Sequence, residues 1–221
     1  MILPSQSVSH VHAMHVEEII YPAGTRGLAW RLDEETTRLL DLCREAGIPV
    51  DDLSDVPVKR QREQLAERLL LHCAFGKPVT LLHDGQGAPW IKGVKVNISI
   101  THTQGLVALA WNERHDIGLD AERCDRRQVL RVRSKFLNAS EQQFIASEYL
   151  AAHIIAWTAK EAVIKAERNS AIDWTDGIKL EPFASEAVEI GFTAHCGHHD
   201  YRITSRRLEE YYMTVAEPIN D

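Results

Sequence analysis

The sequence predicts an α+β fold, because its 221 residues show the same order of elements twice, two helices followed by several strands. No internal sequence repeat accompanies this shared order. A chain of this length forms one large domain or two small ones, and it can bury a core without disulfides or metals. We therefore expect two α+β halves.

The first half is expected to hold two helices between strands. The first helix should begin with Asp33 as its cap and end near Gly47. The second should begin with Ser54 or Asp55 as its cap and end at Gly76. Apolar and β-branched runs predict strands at residues 17–21, 28–31, 78–82, 90–91 and 95–101.

A hairpin is expected where the two halves join. A strand over 106–111 turns at 112–114 into a second strand over 116–122. Ser140 and Gln143 have the spacing of a capping box for a short helix. The remaining predicted elements are a long helix over 149–168 and strands over 178–180, 187–193, 201–204 and 211–216.

The composition argues against several classes of protein. A net charge of −7 is unsuited to general nucleic-acid binding, since phosphate binding needs a basic surface. No segment approaches the roughly 18 apolar residues of a membrane span, and the first residues lack the pattern of a signal peptide. The four cysteines are scattered without a C-x-x-C pair, which predicts free thiols in a reducing cytoplasm.

The strand over 116–122, DIGLDAE, concentrates negative charge on one face. Side chains on a strand alternate, so Gly118, Asp120 and Glu122 should point the same way. Two carboxylates two residues apart repel each other in apolar surroundings. A cation between them is therefore expected.

The helical segment WTAKEAVIK, 157–165, supplies a matching stripe. Trp157, Glu161 and Lys165 lie at i, i+4 and i+8, which is one face of a helix. If this stripe faces the strand, the carboxylate of Glu161 lies beside those of the strand, with Lys160 and Lys165 close by. Carboxylates around a small open site suit Mg²⁺, and lysines suit phosphate. The predicted metal ligands are Asp120, Glu122 and Glu161.

Each part of this pattern also has a purely structural explanation. Charges such as Asp120 and Glu122 commonly protect an edge strand from pairing. Glu161 and Lys165 form an i,i+4 pair that stabilises a helix by about 0.3–0.5 kcal/mol. The joint occurrence of both parts, with His102 upstream and an arginine-rich run downstream, favours a functional site.

The pair of motifs G-x-D-x-E and W-x-x-K-E-A-x-x-K, in this order and spacing, resembles the 4′-phosphopantetheinyl transferases. That family moves phosphopantetheine from coenzyme A to a serine of an acyl or peptidyl carrier protein, with Mg²⁺. Because 119 residues precede Asp120, the resemblance is to the larger type, a monomeric pseudo-dimer with the active site between its halves. It implies coenzyme A contacts in an N-terminal half, 1–112, and the Mg²⁺ site and carrier contacts in a C-terminal half, 113–221.

The resemblance also implies individual roles. Residues 97–102, NISITH, resemble a coenzyme A-binding motif, and the segment R-x-R-E beginning at Arg60 resembles a helix that binds the 3′-phosphate. The implied coenzyme A contacts are Arg60, Thr101, His102, Lys160 and Lys165. Glu161 would accept the proton of the carrier serine, and Lys165 would stabilise charge that develops on the phosphates.

One departure from the family pattern keeps alternatives open. The family often has G-K-P where this chain has Gly87, Ala88 and Pro89, and Lys92 is a candidate substitute for the missing lysine. The absence of that lysine leaves open a coenzyme A-binding module without catalysis. The three carboxylates leave open a metal-dependent phosphohydrolase.

The basic segment, residues 123–135, reverses the charge of an otherwise acidic chain. It contains six basic residues and one acidic residue, namely Arg123, Asp125, Arg126, Arg127, Arg131, Arg133 and Lys135. A solvated helix face would explain such a run. Its position directly after Glu122 instead favours the binding of an acidic carrier protein beside the site.

Overall fold

A computed structural model describes residues 15–219 and confirms the α+β class. In the first half, β1 (Val16–Ile20), β2 (Arg26–Arg31), β5 (Asn97–Thr103) and β6 (Leu106–Asn112) form an antiparallel sheet in the order β1-β2-β6-β5. Helix α2 (Val58–Phe75) packs on this sheet, and α1 (Thr36–Glu45) packs on α2. A separate hairpin consists of β3 (Leu81–His83) and β4 (Pro89–Ile91).

The second half has a five-stranded antiparallel sheet. Its strands are β7 (Gly118–Arg123), β8 (Ile178–Leu180), β9 (Glu189–Cys196), β10 (His199–Leu208) and β11 (Tyr211–Pro218), in the order β7-β11-β10-β9-β8. The helices are α3 (Gln128–Arg131), α4 (Glu141–Phe144) and α5 (Leu150–Glu167). The long helix α5 agrees with its predicted bounds within one residue, and it packs on β7 and β11.

The two halves share a connection pattern. In each half, a strand is followed by helices and then by an antiparallel hairpin. The second strand of that hairpin pairs with the strand that precedes the helices. The matching sets are β2-β6-β5 and β7-β11-β10, and the long helix covers the first two strands of each set. This shared order is consistent with the expected pair of similar halves, although the sequences show no repeat.

The edges of the two sheets meet at β5 and β7. The backbone N–H of Leu119 donates to Ser99 Oγ over 2.9 Å, so a side chain joins the two edge strands. Behind this contact, apolar residues of both sheets form a common core, including Ala108, Leu119 and Met213. Strands β6 and β7 belong to different sheets, so the prediction of a hairpin at 112–114 is wrong. The chain passes there from one half to the other.

The helix ends were predicted better than the helix starts. Gly47 and Gly76 both have positive φ angles of 65° and 68° directly after the helices, as expected for glycine stops. Helix α1 begins after Glu35 and α2 after Pro57, and no side chain caps either helix. The predicted caps at Asp33 and at Ser54 or Asp55 are therefore wrong.

The capping box of α4 uses different residues from those predicted. The backbone N–H of Glu141 donates to Asn138 Oδ1, and that of Asn138 donates to Glu141 Oε2, both over 2.9 Å. Ser140 donates its own hydroxyl to Asn138 rather than capping the helix. The reciprocal bonding of a capping box is present, but it starts two residues earlier.

Across residues 15–219, the structure contains no helix of the length and apolarity needed to cross a membrane. The four cysteines are all free, as the sequence predicts.

Candidate active site

Strand β7 presents its polar face to helix α5. A Cβ atom on Gly118 would lie 1.7 Å from the carbonyl oxygen of Ala162 and 2.8 Å from the backbone nitrogen of Ala166. Glycine therefore allows the strand to touch the helix backbone. This contact brings Asp120 within 2.8 Å of Lys165 Nζ on the helix.

Asp120 is buried and only half of its carboxylate is satisfied. Its Oδ1 accepts hydrogen bonds from Thr101 Oγ1 over 3.0 Å and from Lys165 Nζ over 2.8 Å. Its Oδ2 is buried without a hydrogen-bond partner among the described residues. A buried, unpaired carboxylate oxygen costs free energy unless a donor or a cation reaches it. Asp120 is therefore suited to receive a ligand.

Glu161 adds a second carboxylate to the same place. Burial raises the pKa of Glu161, and the negative charge of Asp120 raises it further, while Lys165 and Arg126 oppose the rise. A cation between the two carboxylates would relieve this repulsion. Together with the unpaired Asp120 Oδ2, the raised pKa fits a bound metal ion.

Glu122 is turned toward other partners. Its carboxylate forms a close ion pair with Arg126 and accepts a hydrogen bond from Thr103 Oγ1 over 3.1 Å. The Arg126 guanidinium also lies 5.0 Å from the ring centroid of Trp157. Within residues 15–219, no three His, Cys, Asp or Glu side chains are arranged to hold a metal ion. Of the three predicted metal ligands, Asp120 and Glu161 thus lie close together, while Glu122 is paired with Arg126.

Arg60 and His102 come together although they lie 42 residues apart. Arg60 Nη1 is 2.8 Å from His102 Nε2, and both side chains are about two-fifths exposed. Beneath them lie the buried carboxylates of Glu63 and Glu67, each 3.4 Å from Arg60 Nη1. An exposed arginine and histidine side by side form a potential anion site.

Lys160, for which the resemblance implies a contact with coenzyme A, lies away from these groups in the structure. Its side chain is fully buried, and Nζ donates to Glu141 Oε2 and to the carbonyl oxygens of Trp174 and Ile178, over 2.7 to 2.9 Å. One residue along a helix rotates a side chain by about 100°. Lys160 consequently points into the protein while its neighbour Glu161 faces β7.

The basic segment is partly neutralised. Arg123 bonds both oxygens of Asp125 and lies 3.4 Å from Glu210, and Arg126 pairs with Glu122. The most exposed cations of the segment are Arg127, Arg131 and Lys135. Next to them, Val129, Val132, Phe136, Trp157 and Trp174 line an apolar groove with Arg126 and Lys135 at its rim.

Three residues near the site, Thr103, Glu67 and Arg126, were not among the predicted site residues. Thr103 follows Thr101 by two residues, so strand alternation could have identified it as a second hydroxyl that faces β7. Glu67 follows Arg60 by seven residues, which is the same face of α2 after two turns. The pairing of Arg126 with Glu122 had no comparable signal, because the turn after β7 determines it.

Comparison with protein families supports the resemblance of the two motifs. Residues 116–216 match the family model described as the 4′-phosphopantetheinyl transferase superfamily. The matched range contains Asp120, Glu122 and all of α5. No curated protein matches the chain.

Proposed function

Because residues 116–216 match the family model of the 4′-phosphopantetheinyl transferase superfamily, we propose that this chain transfers 4′-phosphopantetheine from coenzyme A to a serine of an apo carrier protein. The proposed reaction depends on Mg²⁺ and releases 3′,5′-ADP, so its class is that of a holo-acyl-carrier-protein synthase. The observation that carries the proposal is the meeting of Asp120, Glu161 and Lys165 where the two sheets touch.

The proposed metal ligands are Asp120 and Glu161. Mg²⁺ usually binds one or two carboxylates and keeps its other positions for water and substrate phosphates. The buried Oδ2 of Asp120 and the raised pKa of Glu161 support this pair. Glu122 would become a third ligand once Arg126 leaves its carboxylate. Bound Mg²⁺ would neutralise negative charge on the pyrophosphate of coenzyme A.

Lys165 is the proposed phosphate ligand on the protein side. An ammonium group has three N–H donors, and two of them bond Leu119 O and Asp120 Oδ1 in the structure. The third donor can reach a phosphate oxygen without breaking these bonds. Because Asp120 and the Leu119 carbonyl hold Nζ in place, the positive charge is positioned before the substrate arrives.

Glu161 is the proposed general base. A carboxylate placed beside the reacting groups can accept the proton of the carrier serine. The buried hydroxyl of Thr101, for which a coenzyme A contact is expected, donates to Asp120. We propose that Thr101 orients Asp120 instead of binding coenzyme A.

We further propose a division of labour between the halves. Arg60 and His102 of the N-terminal half, 1–112, bind the 3′-phosphate of coenzyme A, and the C-terminal half, 113–221, holds the metal and receives the carrier. One chain provides both β5 and β7, which supports a monomer. Four free thiols support a reducing, cytoplasmic location.

The direct test is incubation with coenzyme A, Mg²⁺ and a panel of apo acyl and peptidyl carrier proteins. We expect the mass of at least one carrier to increase by one phosphopantetheine group, with release of 3′,5′-ADP. Cleavage of coenzyme A without a carrier would instead favour a phosphohydrolase. Binding of coenzyme A without modification of any carrier would favour a non-catalytic module.

A further inference from the structure

The Arg60–His102 pair sits above a buried carboxylate that none of the chemistry proposed so far uses. Glu67 lies on α2 with a side chain only 9% exposed. Its Oε1 is 3.4 Å from Arg60 Nη1 and 3.7 Å from His102 Nε2. The carboxylate therefore faces both groups that point toward the proposed 3′-phosphate.

The contact between Arg60 and His102 indicates which ring nitrogen of His102 carries a proton. A guanidinium remains protonated and can only donate hydrogen bonds. At a separation of 2.8 Å from Arg60 Nη1, Nε2 of His102 must therefore be the acceptor. In this arrangement Nε2 carries no proton, so His102 is neutral with its proton on Nδ1.

In that state Nε2 of His102 cannot donate a hydrogen bond to a phosphate. Phosphate oxygens accept hydrogen bonds, so Nε2 must acquire a proton before it can donate to them. The hydrogen bond between Arg60 and His102 breaks in the same step, and the proton comes from solvent. Arg60 Nη1 and His102 Nε2 then both donate to the phosphate.

The protonated histidine would lie beside the positive charge of Arg60. Two cations at this separation repel each other, and a negative charge next to both offsets the repulsion. Glu67 is the described carboxylate that contacts both residues, whereas Glu63 contacts Arg60 and Lys59.

We propose that Glu67 is a positioning residue that enables His102 to take up one proton when the 3′-phosphate of coenzyme A binds. This inference rests on the proposed function, which identifies coenzyme A as the ligand. It deepens that function by making recognition of the 3′-phosphate dependent on pH.

The charged surroundings of Glu67 agree with this role. Burial raises the pKa of Glu67, and Glu63 on the same helix adds to the rise. Arg60 on α2 opposes it, as do His102 on β5 and His83 on β3 when they are protonated. The positive charge that arrives on His102 consequently favours the ionised form of Glu67.

The test compares coenzyme A with 3′-dephospho-coenzyme A, at one Mg²⁺ concentration and between about pH 7 and pH 9, where a free phosphomonoester is mostly dianionic. The ratio of the two Kd values measures selectivity for the 3′-phosphate, and contributions of the shared pyrophosphate cancel. We expect this selectivity to fall as the pH rises in the wild type. In Glu67→Gln, the fall should occur about one pH unit lower, because a carboxylate within 4–6 Å stabilises a cation by about that amount.

Glu63→Gln is the matched control. This substitution removes a carboxylate charge one helical turn from Glu67. Glu63 contacts Arg60 but does not contact His102. Its pH profile should keep the wild-type midpoint. His102→Gln should bind coenzyme A weakly, with a selectivity that no longer depends on pH.

A measurement without any substitution completes the test. Calorimetric binding enthalpies in two non-phosphate buffers of different ionisation enthalpy report the number of protons taken up. We expect more proton uptake with coenzyme A than with 3′-dephospho-coenzyme A, by at most one proton. Equal uptake for the two ligands would overturn the inference.

Two outcomes with the variants would also overturn it. An unchanged midpoint in Glu67→Gln would mean that Glu67 only supports the fold. A pH-independent selectivity in that variant would mean that Glu67, rather than His102, takes the proton. Either result leaves the transferase proposal intact, because carrier modification tests that proposal separately.

Discussion

At the scale of single residues, Asp120 has one oxygen engaged by Thr101 and Lys165 and one oxygen buried without a partner. Native proteins leave few buried polar atoms unpaired, and those that remain often mark functional positions. The neighbouring carboxylate of Glu161 makes the arrangement less favourable still, until a cation arrives. These two carboxylates therefore lower the stability of the free protein, and a bound cation would restore it.

Asp120→Asn and Glu161→Gln should each reduce carrier modification by about 100- to 1,000-fold, which corresponds to about 2.7–4 kcal/mol of transition-state stabilisation. Both substitutions preserve shape and remove a charge from a crowded pair, so the midpoint of thermal unfolding should stay near the wild-type value. Steady-state assays at saturating Mg²⁺ and thermal melts check both parts. Retention of more than about a tenth of the wild-type kcat would contradict the site.

Glu122→Gln tests whether the proposed Mg²⁺ has two carboxylate ligands or three. In the structure Arg126 and Thr103 occupy the Glu122 carboxylate, so this variant should lose less activity than Asp120→Asn. The dependence of kcat/KM on Mg²⁺ concentration provides the comparison. A loss as large as that of Asp120→Asn would show that Arg126 releases Glu122 to the metal, as the sequence-based prediction of three ligands requires.

At the scale of elements, Glu141 connects α4, α5 and β8 of the second half through hydrogen bonds. Its two oxygens accept hydrogen bonds from Lys160 Nζ on α5, from the backbone N–H of Leu180 on β8, and from Asn138 before α4. Lys160 also bonds two carbonyl oxygens, so its charge is fully satisfied. The pair holds α5 in place while the opposite side of that helix carries the proposed active-site groups.

Lys160→Met should destabilise the protein by about 3–5 kcal/mol, because it leaves the buried Glu141 carboxylate without its cation. Urea unfolding measures this free energy. Lys179→Met is the control, since Lys179 is exposed on β8. If Lys160→Met unfolds like the wild type but loses affinity for coenzyme A, the structural role assigned to Lys160 is wrong.

Gly118→Ala tests the contact between β7 and α5. The new methyl group would overlap the Ala162 carbonyl, and backbone atoms cannot move aside as a flexible side chain does. We expect a loss of about 1–3 kcal/mol in unfolding free energy, together with reduced kcat as Asp120 and Lys165 separate. Gly191→Ala on β9 is a matched control, because its Cβ would meet nothing closer than 4.0 Å. Similar losses in both variants would contradict the close approach.

At the scale of the whole molecule, the proposed site lies where β5 of one sheet meets β7 of the other. Ser99, Thr101 and Thr103 alternate along β5. Their side chains form hydrogen bonds with Leu119, Asp120 and Glu122 of β7, respectively. Neither half alone contains the complete set of groups. The basic segment follows β7 directly, so a partner bound there would approach this junction.

The exposed cations of the basic segment should bind an acidic carrier protein. Reversal of Arg127 and Arg131 to Glu should raise the KM for the carrier about tenfold and leave the KM for coenzyme A nearly unchanged. Added salt should raise the wild-type carrier KM, because rim charges are screened beyond about 8 Å at 0.15 M salt. Arg126 is left intact, since it also holds Glu122.

Lys179→Glu with Arg202→Glu makes the same change of charge on β8 and β10, at two other exposed positions. This control should keep the wild-type carrier KM. An increase of equal size in both double variants would indicate a general effect of net charge. A defect confined to the KM for coenzyme A would assign the basic segment to the nucleotide.

The sequence by itself determined features that depend on neighbours along the chain. Strand alternation placed Gly118, Asp120 and Glu122 on one face, and helical periodicity placed Glu161 and Lys165 on another. The glycine stops and the bounds of α5 also follow from local backbone preferences. These local periods are the reason that the α+β class could be predicted, together with the strand face that carries Asp120 and the helix face that carries Lys165.

Only the tertiary structure decided which charges meet across long separations. Lys160 reaches Glu141, 19 residues away, and Arg60 reaches His102, 42 residues away, because distant segments pack together. The turn after β7 places Arg126 against Glu122, one of the three predicted metal ligands. A buried charge must find a partner wherever the packed chain supplies one, and no local period specifies that place.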